Sequence, residues 1–335
     1  MSVRLTGIEK TFRRARPPAH ALRGVTLEVA RGRCLAILGP SGSGKTTLLR
    51  VAAGLERPDA GRVFFEDRDV TEMRAERRRA GVVFAEDALF PHMTIAANIG
   101  YGMPRERRRA GVEAIAARMR IGELLDRRPH ALSTGQRQRA AVARALATEP
   151  DVLLLDEPFS RLDAPLRAEL RAEFARVLRG ADVTTLFVTH DQSEAMALGD
   201  RIAVMRDGRI EQTGTQRDLY ERPINTFVAR FVGTPAMSIV PATALESRAG
   251  CVAQYGLRAG AVRIAARGAF AGVVGAVEDL GDRAYAQVEL PFGMLCAVVD
   301  PPLPSPGERV CIEIDLAQAY AFAESGELIA DLVRA

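Results

Sequence analysis

The chain has 335 residues, of which 47% are hydrophobic and 26% charged, with a mean hydropathy of −0.01 and a net charge of +4. That composition excludes a disordered or collagen-like chain, and the length suffices for two domains with cores of their own. No apolar run approaches the roughly 18 residues of a membrane-spanning helix, and four surplus charges spread along the chain are no footprint of nucleic-acid binding. Met1–Lys10 lacks the apolar core of a signal peptide, so a cytoplasmic protein is expected. Cys34, Cys251, Cys296 and Cys311 are scattered without CxxC spacing and are expected as free thiols. Only Lys10 and Lys45 are lysine; nearly every other positive charge is arginine.

Taken in chain order, the first two-thirds alternate short apolar runs with helical stretches, the pattern of a mostly parallel sheet with crossover helices. Cys34–Leu38 is apolar throughout, as a strand buried on both faces would be. It runs into Gly39-Pro40-Ser41-Gly42-Ser43-Gly44-Lys45-Thr46, followed by Thr47, a complete G-x-x-x-x-G-K-T phosphate loop. Glycines let backbone N–H groups curl around phosphates, and the helix starting near Lys45 adds its positive end. Lys45 is expected on the β- and γ-phosphates of a nucleotide and the Thr46 hydroxyl on Mg²⁺.

Residues 88–150 turn helical, and the arginines of Arg105–Arg120 read as a solvated helix face. Leu132-Ser133-Thr134-Gly135-Gln136 precedes the helix former Arg137–Ala147. A Ser-x-Gly turn there makes an anion site, or leaves Ser133 as an N-cap alone. Val152–Leu155 delivers Asp156 and Glu157 to its C-terminal end: one carboxylate for a metal, one to orient or deprotonate a water. Leu166–Arg179 has the spacing of an amphipathic helix, and Thr184–Thr189 ends at His190, followed by Asp191. From Ser238 onward the texture becomes short strands (Val262–Ile264, Gly272–Val277, Tyr285–Leu290, Val310–Ile314), with Pro301–Pro306 as a loop.

With these motifs in this order, the chain resembles the ATP-binding subunits of ABC transporters. The resemblance implies an α/β P-loop NTPase cassette over residues 1–235, with a helical subdomain at about 88–150, and a small β-barrel-like domain of the OB or TOBE kind over 236–335. It places Phe12 on adenine, Ser160-Arg161-Leu162-Asp163 as D-loop and His190 as switch histidine. Ser133, Gly135 and Gln136 would meet the ATP of the other protomer of a homodimer.

The segments 88–93, 98–102, 189–195, 214–220 and 227–233 resemble importer ATPases of the maltose, glycerol-3-phosphate, spermidine and ferric-iron type, and Gly256–Arg258 with Gly275–Gly281 fit a TOBE module. The implied partners are two transmembrane permease subunits and a substrate-binding protein, at the cytoplasmic face of the inner or plasma membrane. ATP and Mg²⁺ are the implied cofactors. A sugar or glycerol-3-phosphate leads polyamines and Fe³⁺ as solute, though selectivity does not reside in this chain.

Two positions depart from the family pattern: Ala85, followed by Glu86, where a glutamine is usual, and Thr134 where glycine is usual. They keep open a module impaired in hydrolysis. A soluble, non-transport ABC protein is the third reading, but it would carry two cassettes or a long coiled-coil insertion, and neither is present.

Overall fold

The structure is a computed structural model and describes residues 2–84, 89–160, 162–245 and 252–329. It divides into two compact units, Met1–Thr215 and Gln216–Ala335.

The first unit runs β1 (Val3–Phe12), β2 (Ala19–Val29), β3 (Cys34–Leu38), α1 (Lys45–Ala53), β4 (Ala60–Phe65), β5 (Arg68–Asp69), β6 (Ala80–Val83), α2 (Ile95–Ile99), α3 (Arg108–Arg118) and α4 (Thr134–Ala147). It continues through β7 (Val152–Asp156), α5 (Ala164–Ala181), β8 (Thr184–Thr189), α6 (Gln192–Leu198), β9 (Arg201–Arg206) and β10 (Arg209–Gly214). Its central sheet has the order β10-β9-β3-β8-β7-β6, parallel from β9 to β6 with β10 antiparallel at one edge. Every residue of β3, β7 and β8 is buried, as expected of apolar runs covered on both faces.

The crossovers carry the chain back so that the loops after β3, β7 and β8 open at one edge, the carboxyl ends of the strands, where open α/β sheets bind ligands. A second, antiparallel sheet of order β2-β1-β4-β5 joins the same core, with Val3, Leu5 and Ile8 packed among Leu35, Ile37 and Leu48. This sheet is absent from the sequence expectations. Its β1 alternates buried and exposed residues but slips register between Leu5 and Ile8 and again before Glu9, which breaks the period of two. In the helical stretch, α3 buries Val112, Ile115 and Ala116 and leaves Arg105, Arg107, Arg108, Arg109 and Arg118 exposed.

The second unit begins with α7 (Gln216–Glu221) and α8 (Thr226–Phe231). Strands β11 (Ser238–Pro241), β12 (Gln254–Leu257), β13 (Val262–Ala265), β14 (Phe270–Asp279), β15 (Ala284–Leu290), β16 (Gly293–Val299), β17 (Arg309–Ile314) and β18 (Tyr320–Phe322) follow. They form antiparallel sheets of order β11-β12-β18 and β13-β17-β14-β15-β16. β16, not among the expected strands, turns Leu295, Ala297 and Val299 inward against Ala286 and Val288.

Residues 216–235, expected with the cassette, pack with the second unit. The buried Arg258 explains why: its guanidinium donates to the carbonyls of Ala229 (3.2 Å), Val232 (2.6 Å) and Tyr220 (3.0 Å) and stacks 4.1 Å from the Tyr220 ring. Carbonyls at the ends of α7 and α8, which no helix can satisfy internally, are thereby satisfied. Among the described residues, Cys34, Cys296 and Cys311 are free thiols, and no helix is long and apolar enough to cross a membrane. Cys251 lies outside them.

Candidate functional site

The loop between β3 and α1 is shaped by backbone approach. A Cβ on Gly39 would lie 2.2 Å from the Met205 carbonyl oxygen. One on Gly44, whose φ is +103°, would lie 2.3 Å from that of Ala21. Only glycine fits either place. Gly44 brings no side-chain cap to α1, so the first N–H groups of that helix are left for a ligand. The Ser43 hydroxyl is buried with no hydrogen-bond partner, an orphan that a phosphate oxygen would satisfy. Lys45, buried, turns its ammonium back onto the carbonyls of Gly39 (2.8 Å) and Pro40 (2.9 Å). Burial pulls its pKa below the ordinary value, against the opposing charges of Glu157 and Asp156.

Across the sheet edge, the Thr46 hydroxyl donates to Asp156 Oδ1 at 3.0 Å. Burial pushes the Asp156 carboxyl above the usual range, and this hydrogen bond opposes the push. Glu157 follows in the left-handed region, at φ 45°, its N–H still bonded to the Val188 carbonyl at 2.9 Å. A non-glycine residue held there is strained, and the turn re-aims its side chain out of the strand direction. Its carboxylate lies 3.2 Å from His190 Nδ1, with both side chains partly open to solvent.

Lys45, Thr46, Asp156, Glu157 and His190 thus converge at one edge. A hydroxyl beside a buried carboxylate is a hard-oxygen pair that fits a Mg²⁺ ion. Among the described residues no group of three or more His, Cys, Asp or Glu could hold a metal, so such an ion would complete its shell from water and phosphate.

Other expected site residues are held by local bonds. Ser133 caps α4, accepting from the Gln136 N–H at 3.3 Å while the Gln136 side chain accepts the Ser133 N–H at 3.0 Å. This is a capping box. Thr134 accepts a hydrogen bond from Arg137 at 3.2 Å, and a Cβ on Gly135 would lie 3.0 Å from Leu166 of α5. Asp163 caps α5 through the Leu166 N–H at 3.0 Å. Phe12, at the end of β1, is 38% exposed, with the Lys10 ammonium 5.6 Å from its ring centre and 2.7 Å from Glu56. Ala85, Glu86 and Arg161 lie outside the described residues. The sequence reading missed Arg167 and Glu194, which contact the segments on either side of His190 without touching it.

Fold and site together define a P-loop ATPase of the cassette type. The ABC transporter family profile matches residues 22–160 and the TOBE domain profile residues 255–322. The chain belongs to the ABC transporter family, as an ATP-binding import subunit with a C-terminal TOBE domain. It is 37% identical to the sn-glycerol-3-phosphate import ATP-binding protein UgpC 1 of Rhizobium johnstonii over 98% of this chain and 96% of that protein. The sulfate/thiosulfate import ATP-binding protein CysA of Caulobacter vibrioides is 50% identical over 70% of each chain. The spermidine/putrescine import ATP-binding protein PotA of Vibrio cholerae is 44% identical over 73% of this chain and 64% of that protein. Sulfate was not among the solutes weighed from sequence. A dimeric ATP-binding cassette solved in a post-hydrolysis state with ADP and Pi superposes with a TM-score of 0.57 at 29% identity, covering 64% of this chain and 98% of that one.

Proposed function

We propose that this ABC ATPase works as a homodimer on two transmembrane permease subunits at the cytoplasmic face of the membrane, importing glycerol-3-phosphate or a sugar delivered by a substrate-binding protein. The convergence of Lys45, Thr46, Asp156, Glu157 and His190 at one sheet edge carries the catalytic part of this reading. Lys45 exchanges its two loop carbonyls for phosphate oxygens when ATP enters. Thr46 and Asp156 hold Mg²⁺, which when bound neutralises phosphate charge. Glu157 takes the proton of the attacking water, and His190 orients Glu157 and the γ-phosphate. Ser133 and Gly135 meet the partner protomer's ATP; the Ser133 hydroxyl already accepts one bond but keeps its own proton to donate. Phe12 stacks on adenine and Asp163 borders the dimer contact.

The permease docks in the cleft of about 410 Å³ beside β6 and α4, where Phe90 meets Tyr101 at 4.8 Å beneath the Arg144 guanidinium and Tyr101 is 57% exposed. The nucleotide-binding part ends by residue 235, and the remainder is regulatory. For the solute, support comes from relatives matched along nearly the whole chain, which are named for sn-glycerol-3-phosphate import. The sulfate and spermidine relatives match about seven-tenths of it.

Glu157→Gln tests the catalytic reading. It keeps every phosphate ligand, so ATP binding should persist while turnover falls by about a hundredfold or more, and size-exclusion chromatography in ATP and Mg²⁺ should show a trapped dimer. Wild-type turnover in that variant would remove Glu157 from the mechanism. Uptake of labelled glycerol-3-phosphate, maltose, sulfate and spermidine by the reconstituted transporter tests the solute.

A further inference from the structure

His190 stands between two residues that are both tied down. The Thr189 hydroxyl donates to Glu194 Oε2 at 2.5 Å and accepts the Asp191 N–H at 2.9 Å. Asp191 Oδ1 caps α6 through the N–H groups of Ser193 (2.7 Å) and Glu194 (3.2 Å). Asp191 Oδ2 is left facing α5, and there the Arg167 guanidinium meets it at 3.3 Å. The same guanidinium donates to the Leu162 carbonyl at 2.8 Å, one residue before Asp163, and its Nε lies 3.9 Å from Glu194 Oε1.

Glu194 is buried, and burial pushes its carboxyl above the usual range despite the Thr189 bond. A charged carboxylate so placed is tolerable only beside a cation, and Arg167 is the guanidinium that reaches it. A planar fork can serve a carbonyl and two carboxylates at once, which an ammonium cannot. One side chain therefore bonds the backbone of the D-loop and the cap of α6, while its buried Nε, with no hydrogen-bond partner, faces the carboxylate that holds Thr189. These groups flank His190 on both sides, while the Nδ1 of His190 itself faces the Glu157 carboxylate at 3.2 Å.

We infer that Arg167 is a positioning residue for the reaction: it fixes the D-loop end to both flanks of His190, so that His190 and Glu157 keep their register when the D-loop moves. The inference rests on the assignment of His190 above. Arg167 is not among the residues assigned to the nucleotide above, so its removal should act on turnover and spare ATP affinity.

In the full-length protein, Arg167→Met should lower turnover at saturating ATP by about ten- to a hundredfold, as a side chain misplaced by an ångström does, while KM for ATP stays within about threefold. Adding Glu194→Gln removes the carboxylate that Arg167→Met strands, and its amide oxygen can still accept from Thr189. The melting temperature should then recover while turnover stays low. Recovery of turnover together with the melting temperature would overturn the inference, because Arg167 would then only hold the fold.

Asp191→Asn is a gentler probe that keeps the helix cap through Oδ1 but turns an amide NH2 toward Arg167. It should slow turnover several-fold with a smaller fall in melting temperature than Arg167→Met, and wild-type turnover in it would overturn the inference. Two variants separate this inference from the assignment beneath it. In a His190→Ala background, Arg167→Met should cost far less than it does alone, since interactions acting through one residue are not additive. Full additivity overturns the route through His190. If His190→Ala turns over like wild type, the His190 assignment fails; if His190→Ala is slow and Arg167→Met is not, the present inference fails alone.

Discussion

Two helices of this chain begin at turns proposed to meet phosphate, and they begin differently. α1 starts from Gly44 with no side-chain cap, in a loop whose glycines leave no room for a Cβ and whose Ser43 hydroxyl is unsatisfied. α4 starts from Ser133 with its N-terminal groups closed by a capping box to Gln136. The first helix start is left incomplete for a ligand to finish; the second is already complete and holds its shape alone. A site that must bind tightly on one protomer can store unsatisfied donors. On the dimer proposed above, the second surface would meet nucleotide only when two protomers close, and so must stay stable in the open state.

Lys45 is the most severe test of that contrast, because the open loop has room for one thin cationic stem. Lys45→Arg preserves charge but brings a wide guanidinium fork into a glycine-lined loop, where Lys45 is buried against the carbonyls of Gly39 and Pro40. Affinity for ATP or turnover should fall by about tenfold or more, measured by nucleotide titration and steady-state hydrolysis. Near-normal values would mean the loop is as tolerant as the capped helix, and the contrast would collapse.

Ser133 sharpens the comparison from the other side, since two substitutions separate cap from ligand. Ser133→Ala removes the cap and should cost about 1 kcal/mol of stability. Ser133→Asp keeps a good cap but sets a negative charge where the partner's phosphates would arrive. If Ser133 acts only on its own helix, the aspartate variant matches wild type in thermal melting and in turnover. If it also meets nucleotide, the aspartate variant melts normally and hydrolyses ATP several-fold more slowly than Ser133→Ala.

Much of this site was legible in the sequence because its signals are local. Strands buried on both faces write uniform apolar runs, and the loop and carboxylates that follow them are contiguous in sequence: Gly39–Thr46, Asp156–Glu157, His190. What escaped is long-range or interrupted. Arg167 meets Asp191 across 24 positions, so a helical pattern alone shows only an amphipathic α5. Arg258 meets Tyr220 across 38, which is why residues 216–235 read as cassette although they pack with the second unit. The N-terminal sheet was hidden by the register slips in β1. The capping box is a different case: Ser133 was legible as an N-cap and is one, but its reciprocal partner Gln136, three residues on, was passed over.

Thr134 is where the two kinds of helix start come closest, and its substitution should have the smallest effect. As first residue of α4 it stands where the family usually has glycine, and its hydroxyl accepts from Arg137 at 3.2 Å. Arg137 keeps a second, shorter bond to the Leu132 carbonyl at 2.7 Å, so the turn does not depend on Thr134 alone. The crowded neighbour is Gly135, which already meets Leu166. Thr134→Gly therefore removes one of the two Arg137 bonds and loosens the first turn, where glycine costs less than in a helix interior. Turnover should stay within about threefold of wild type, because the shorter Arg137 bond to Leu132 remains in place. The opposing view is that the threonine crowds the partner's phosphate and brakes hydrolysis. A rise in turnover of about tenfold in Thr134→Gly, measured beside Ser133→Ala, would establish that brake and make α4, not α1, the helix start that limits the enzyme.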